Sequence, residues 1–145
     1  MATTQSPTDK HKQLARRVPE DVATEHKLDV IDEITTEDVV DHTPMGDAEG
    51  RDELKAEIAE MIEAFPDFSA TVEEIFAEDD LVSMRVTLRG THEGELWGME
   101  PTGNTFEVPN NVVTRIEDGL IAERWLVLDT MGMLRQLGLV DLPME

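Results

Sequence analysis

The chain has 145 residues, 39% of them hydrophobic, 31% charged and 4% aromatic, with no cysteine and a formal net charge of -21. That length suits one domain able to bury roughly 70% of its unfolded surface, and the missing cysteines exclude a disulfide-stapled miniprotein. So acidic a chain is repelled by phosphate backbones and anionic lipid, which excludes nucleic acid and membrane surfaces as partners, and no run of about 18 apolar residues offers a membrane span.

Residues 1–12 are polar and aperiodic and are expected to form a disordered tail ahead of a single domain over 13–145. From Pro19 onward, Val22, Leu28 and Ile31, with Glu20 and Asp21 in the first turn, predict a helix. Val39 to Pro44 reads as a short extended segment leading into a loop that carries Gly46 and Gly50. Leu54, Ile58, Met61 and Ile62 recur at helical spacing, so 52–64 is an amphipathic helix that Pro66 stops. Everything from Phe68 to Asp129 reads as sheet. Strands are expected over 70–76 and 81–88, joined by the acidic turn Glu78-Asp79-Asp80. Two more, over 106–116 and 120–128, flank the hairpin signal Asp118-Gly119. A short helix over 131–137, closed by Gly138, ends the pattern. Helices followed by antiparallel strands give an α+β class, with helices covering one face of a strongly curved sheet.

The acids are spread through VEEIFAEDD, RDELKAEIAE and TEDVVDH rather than gathered in one patch. Adaptation to molar salt, where the Debye length falls to about 3 Å, explains that spread better than a basic partner does. A halophilic source is therefore expected. The N-terminal stretch MATTQSPTDKHKQLARR has no apolar core of the secretory kind, so a cytoplasmic location is expected.

Candidate chemistry concentrates at the last hairpin. Pairing Glu117 with Leu120 and continuing without interruption places Val112 opposite Trp125 and Asn110 opposite Val127. Side chains alternate faces, so Trp125, Val127 and Asp129 would share a face with Asn110 and Val112, while Arg124, Leu126 and Leu128 occupy the other. A carboxyl at Asp129 beside the Trp125 indole would lose hydration, raising its pKa into the range useful for proton transfer. The alternative role for Asp129 is an N-cap for the following helix. His42 and His92 are candidates to assist at an oxyanion. Trp125, Asn110, Val112, Trp97 and Phe65 are the candidate ligand contacts. No HExxH, cysteine pair, GxGxxG or P-loop pattern occurs, so no metal and no nucleotide cofactor is expected.

Arg89-Gly90-Thr91-His92-Glu93-Gly94, Gly98, Pro101-Thr102-Gly103, Arg115 to Ile121, Glu123, Trp125, Asp129 and Gln136-Leu137-Gly138 occur in an informative order. With Phe65-Pro66-Asp67 and His42, this pattern resembles the SnoaL-like polyketide cyclase family, also called ester cyclases, over about residues 20–139. The resemblance implies a cone-shaped α+β barrel of the nuclear-transport-factor-like superfamily, with an enclosed cavity under N-terminal helices. It further implies ring closure by intramolecular aldol condensation without metal or cofactor. Asp129 stands at the family's acid/base position, and His42 matches a histidine after the first helices. The substrate would be a small apolar carbonyl-bearing molecule. A homodimer or homotetramer is expected, with Arg85, Arg89, Arg115 and Arg124 able to meet carboxylates across an interface. Two other readings stand beside this one: a non-catalytic ligand-binding or dimerisation module, and a hydrolase of epoxide-hydrolase type.

Overall fold

Ser6 starts the first helix, α1 (Pro7–Arg17), in the computed structural model, which describes residues 6–141. Its hydroxyl accepts the Asp9 N–H at 3.2 Å, Pro7 supplies a preset first turn, and Arg16 and Arg17 complement the dipole at the far end. Residues 7–12, expected within a disordered tail, are therefore helical. Burial of Ala15 and the bond from His11 Nδ1 to the Asp79 carbonyl, 3.0 Å long, dock the helix on the domain. The tail's first five residues lie outside the described residues.

Pro19 has no N–H to continue the helical ladder, and the chain widens into a π-helical segment, Val18–Thr24. That segment ends at Thr24 with Glu25 as its cap, His26 follows at φ 62°, and a short helix, α2 (Val30–Ile34), comes next. The one helix expected from Pro19 is thus two pieces, yet Val22, Ile31 and Ile34 all reach the core together with Leu54 and Ile121.

Strand β1 (Thr35–Thr43) turns at Pro44-Met45 into β2 (Gly46–Glu49), a strand where a loop was expected. Helix α3 (Arg51–Ala64) matches its amphipathic pattern. Strands β3 (Ser69–Glu78), β4 (Leu81–Thr91), β5 (Thr105–Glu117) and β6 (Leu120–Leu128) precede helix α4 (Thr130–Gln136). The sheet order is β2-β1-β6-β5-β4-β3, antiparallel except where β1 runs parallel to β6. The α+β class holds, but the curved sheet stays open and does not close into a barrel. Strands β2 and β3 are its edges, and α1, α3 and the π-helical segment pack across the opening.

Asp118 (φ 51°) and Gly119 (φ 80°) make the two-residue turn between β5 and β6, with Glu117 opposite Leu120 as the sequence implies. The register then shifts. Ile116 faces Ile121, but Arg115 faces Glu123, so Ala122 is an extra residue, a β-bulge on β6. Beyond it Thr114 pairs with Arg124, Val112 with Leu126 and Asn110 with Leu128, not with Trp125 and Val127 as uninterrupted alternation predicts. The helix-covered face of the sheet therefore carries three successive rungs. They are Val82–Thr114–Arg124–Asp41, then Met84–Val112–Leu126, then Val86–Asn110–Leu128.

A loop over residues 92–104 folds back under α3, held by Glu93 and Gly94 N–H groups that both donate to the Ala64 carbonyl at 3.0 Å. A Cβ at Gly94 would lie inside the contact radius of the Glu63 carbonyl oxygen. Gly94→Ala is expected to destabilise the protein by about 1–3 kcal/mol in a denaturant melt, because backbone and not a flexible side chain must move.

Candidate active site

A cavity of about 160 Å³ lies between the helix-covered face of the sheet and the underside of α3 and the π-helical segment. Its sheet wall is Met84, Val86, Leu88, Val112, Leu126 and Leu128, and Pro44, Met45 and Trp97 stand around its mouth. Six polar side chains interrupt this apolar lining: Asp41 and Thr43 on β1, Glu57 and the exposed Glu60 on α3, Asn110 on β5 and Arg124 on β6.

Asp41 and Arg124 are 1% and 4% exposed, and Arg124 Nη1 donates to Asp41 Oδ2 at 2.9 Å. Glu57 reaches the same carboxylate from above. Burial is the largest influence on Glu57 and pushes its pKa up to about 8, with the Asp41 charge adding and Arg124 opposing. Burial likewise raises Asp41, against the pull of Arg124. Among the described residues Asp41 Oδ1 and Glu57 Oε2 are buried without a donor, as two carboxylate oxygens facing one another are if both are ionised. A proton shared between them satisfies both oxygens. Glu57 donates and Asp41, beside the guanidinium, accepts. The cluster then holds one positive and one negative charge and is neutral, the arrangement that a dry site tolerates.

Asn110 is 7% exposed, and its amide oxygen has no donor among the described residues. Val112 and Trp97 also line the cavity, so three of the expected ligand contacts are there. The others are elsewhere. Phe65 is fully buried in the core, edge-on to Phe106 at 4.7 Å between ring centroids. Trp125 is 38% exposed on the opposite face, because the bulge at Ala122 reverses the alternation on which its inward placement depended.

Asp129 is exposed and lies outside the cavity lining. Its Oδ1 accepts the Gly132 N–H at 2.9 Å, so it caps α4. His42 sits on the outer face with Trp125, the rings 5.7 Å apart and nearly parallel. Its Nε2 meets Glu123 Oε2 at 2.6 Å and its Nδ1 meets Asp47 Oδ1 at 3.0 Å, and these carboxylates, Glu123 foremost, raise its pKa. It pins the β1–β2 hairpin to β6 and does not face the cavity. His92 is fully buried beneath the loop, where Nδ1 accepts the Thr102 N–H at 3.2 Å and the ring packs on Phe65. It anchors the loop that carries Trp97 but is not part of the cavity wall.

The polar residues that do converge, Asp41, Glu57 and Arg124, were not singled out from the sequence as a site. One signal was present: Arg124 shares its face with Leu126 and Leu128, where an unpaired guanidinium would be costly. The strand arginines expected to reach across a subunit interface all have carboxylates in their own chain. Arg85 meets Glu74 at 2.9 Å, Arg89 meets Glu107 at 2.6 Å, and Arg115 meets Glu123 at 3.3 Å. Among the described residues no helix is long and apolar enough to cross a membrane.

The sequence matches the family model for SnoaL-like polyketide cyclase over residues 13–137. No curated protein sequence matches it. Among solved structures, IdmH of Streptomyces antibioticus, provisionally described as a polyketide cyclase, is 32% identical with a TM-score of 0.78, over 88% of this chain and 98% of that one. AclR of Streptomyces galilaeus, provisionally described as a hydroxylase, is 28% identical with a TM-score of 0.81, over 94% and 86% of the two chains. A SnoaL-like protein of Jannaschia Sp. CCS1, 22% identical with a TM-score of 0.85 over 97% and 100% of the two chains, shares the fold.

Proposed function

Because the chain belongs to the SnoaL-like polyketide cyclase family, we propose that it is a cofactor-independent acid/base enzyme acting on a small apolar carbonyl compound, with Asp41 and Glu57 as its proton carriers. The observation that carries this reading is the buried carboxyl pair beside Arg124, open to an apolar cavity and with an oxygen on each carboxyl that has no donor among the described residues. Asp41, kept ionised by the guanidinium, removes a proton from the carbon α to the carbonyl. The C–H electron pair becomes the enol double bond while the carbonyl oxygen takes the Glu57 proton. The pair begins and ends with one proton, so the step needs no outside base. Reprotonation at another carbon gives isomerisation, and attack of the enol carbon on a second carbonyl closes a ring. Asn110 orients the ligand, and the apolar walls strengthen each of these contacts by excluding water.

The test is exchange of α-hydrogens in deuterated buffer, followed by proton NMR of a simple ketone such as cyclohexanone. Glu57→Gln is expected to slow enzyme-dependent exchange by at least about 100-fold. Asp129→Ala is expected to cost about 1 kcal/mol of stability through loss of the cap, and to leave the exchange rate unchanged. Exchange that survives in Glu57→Gln and dies in Asp129→Ala would reverse the assignment.

A second reading, opening of an epoxide by an activated water, draws on one further observation. Asp41 Oδ1 and Glu57 Oε2 are both buried on the cavity without a donor among the described residues, and a water donating to both would satisfy them in place of a shared proton. Oxygen-18 from solvent water appearing in a diol product would favour it over enolisation.

A further inference from the structure

Resting on the acid/base reading of Asp41 and Glu57 and deepening it, we propose that Trp97 sets ring selectivity: with Met45 across the cavity mouth, its indole grips a flat conjugated ring while the ligand's carbonyl reaches the carboxyl pair. The protein then prefers an aryl ketone to a saturated ketone of the same carbon skeleton.

The backbone singles Trp97 out. Trp97 (φ 49°) and Gly98 (φ 82°) form a two-residue turn between Leu96 and Met99, which exchange N–H···O bonds of 2.9 and 2.8 Å. The Asp118-Gly119 turn has nearly the same values, 51° and 80°. Such a turn favours Asn, Asp or Gly at its first position, and a bulky side chain there costs about 1–3 kcal/mol. The other non-glycine residues with positive φ among those described are His26, Asp79 and Asp118, all of types that tolerate it. Tryptophan is the exception. Asp118 is exposed at a hairpin tip, whereas Trp97 lines the cavity, so the two turns differ in what the first side chain touches.

The loop holds that side chain in place. Leu96, next to it, is fully buried, the Glu93 and Gly94 N–H groups both donate to the Ala64 carbonyl at 3.0 Å, and the Thr102 N–H donates to His92 Nδ1 at 3.2 Å. A ring carried on so constrained a loop has little freedom left to lose when a ligand arrives. Across the mouth the turn between β1 and β2 brings Pro44 and Met45, and Met45 is 60% exposed. An indole face and a thioether each attract an aromatic ring beyond what its buried area supplies, and neither offers that gain to a saturated ring. Val112 and Leu126 line the same cavity as Asp41 and Glu57, so one ligand can lie along it with its ring at the mouth and its carbonyl at the pair.

The experiment compares 1-tetralone with 1-decalone, bicyclic ketones of the same skeleton that differ in whether the second ring is aromatic. Decalone carries more hydrocarbon surface, so burial of apolar area alone favours it. Dissociation constants are measured for the full chain by ligand-observed NMR. Tetralone is expected to bind about three- to tenfold more tightly than decalone, and Trp97→Leu is expected to erase that preference. The chain has 2 tryptophans, and Trp125→Phe assigns their indole N–H signals in nitrogen-15-labelled protein. Tetralone is expected to shift the Trp97 signal and leave that of Trp125 in place. Equal binding of the two ketones by the parent, a tetralone preference that survives Trp97→Leu, or an unmoved Trp97 signal overturns the inference. The parent and Trp125→Phe arms decide the matter if Trp97→Leu fails to fold. Exchange of the tetralone α-hydrogens separates this inference from the reading beneath it. Exchange that depends on Glu57 without any ring preference sinks the inference alone. Ring preference that depends on Trp97, with exchange indifferent to Glu57, sinks the acid/base reading and leaves Trp97 as the residue that selects the ring.

Discussion

Glu57→Gln is expected to make the protein more stable than its parent at pH 9, by roughly 3–5 kcal/mol, while leaving stability near pH 4 unchanged. Burial raises the pKa of Glu57 from its ordinary 4.5 to about 8. In the unfolded chain the group ionises near the lower value, and in the folded chain it keeps its proton to the higher one. Folding therefore takes up a proton between those limits, and the parent loses stability as pH rises through them. Its full contribution is present below about pH 4.5 and gone above about pH 8. Glutamine has no proton to lose, and its amide N–H still donates toward Asp41. Denaturant titrations at several pH values between 4 and 9 should show two curves that meet at the acid end and diverge upward. A constant gap across that range would mean that the carboxyl does not hold its proton in the folded state.

Arg124→Met is the substitution expected to damage the fold most, by about 3–5 kcal/mol at neutral pH. The side chains of Arg124 and Asp41 are 5% and 1% exposed, so water cannot replace the lost cation. Without the guanidinium the pull that lowers the Asp41 pKa disappears. The carboxyl pair then takes up a second proton more readily, so the penalty shrinks toward pH 5 and grows toward pH 9. Adding Asp41→Asn should recover most of the loss, and the double-mutant cycle reads the coupling directly. The exposed pair of Arg85 and Glu74, each 52% exposed, gives the contrast: breaking it should cost under about 1 kcal/mol.

Much of the architecture was legible because local chemistry agreed with it. Asp118-Gly119 announced its hairpin, the spacing of Leu54, Ile58, Met61 and Ile62 announced α3, and both elements formed within a residue or two. The N-terminal break at Pro19 was less visible, since a π-helical widening preserves the apolar spacing that suggests one continuous helix. The site was largely hidden. Asp41 and Arg124 are 83 residues apart and meet only through the parallel pairing of β1 with β6, for which no local pattern exists. Glu57 is one helix acid in a chain with 33 Asp and Glu, and only burial separates it from Glu53 or Glu63. His42 drew attention because of its residue type. Its neighbour Asp41, on the other side of the same strand, is the group that faces the cavity.

The extra alanine in β6 separates the parity of the turn from the parity of the pocket. Ile121 points inward, Ala122 is absorbed by the bulge, and Arg124 points inward again. Loss of the codon for Ala122 would thus straighten the ladder and leave the guanidinium where it is, a mutation silent to ligands. Loss of the codon for Trp125 would instead turn Leu126 and Leu128 outward and bring Val127 in, rewriting the lining without altering any polar member of it. Evolution of ligand preference on this scaffold can therefore proceed through single-residue length changes, whose effects a residue-by-residue comparison of lining positions would misread as wholesale replacement.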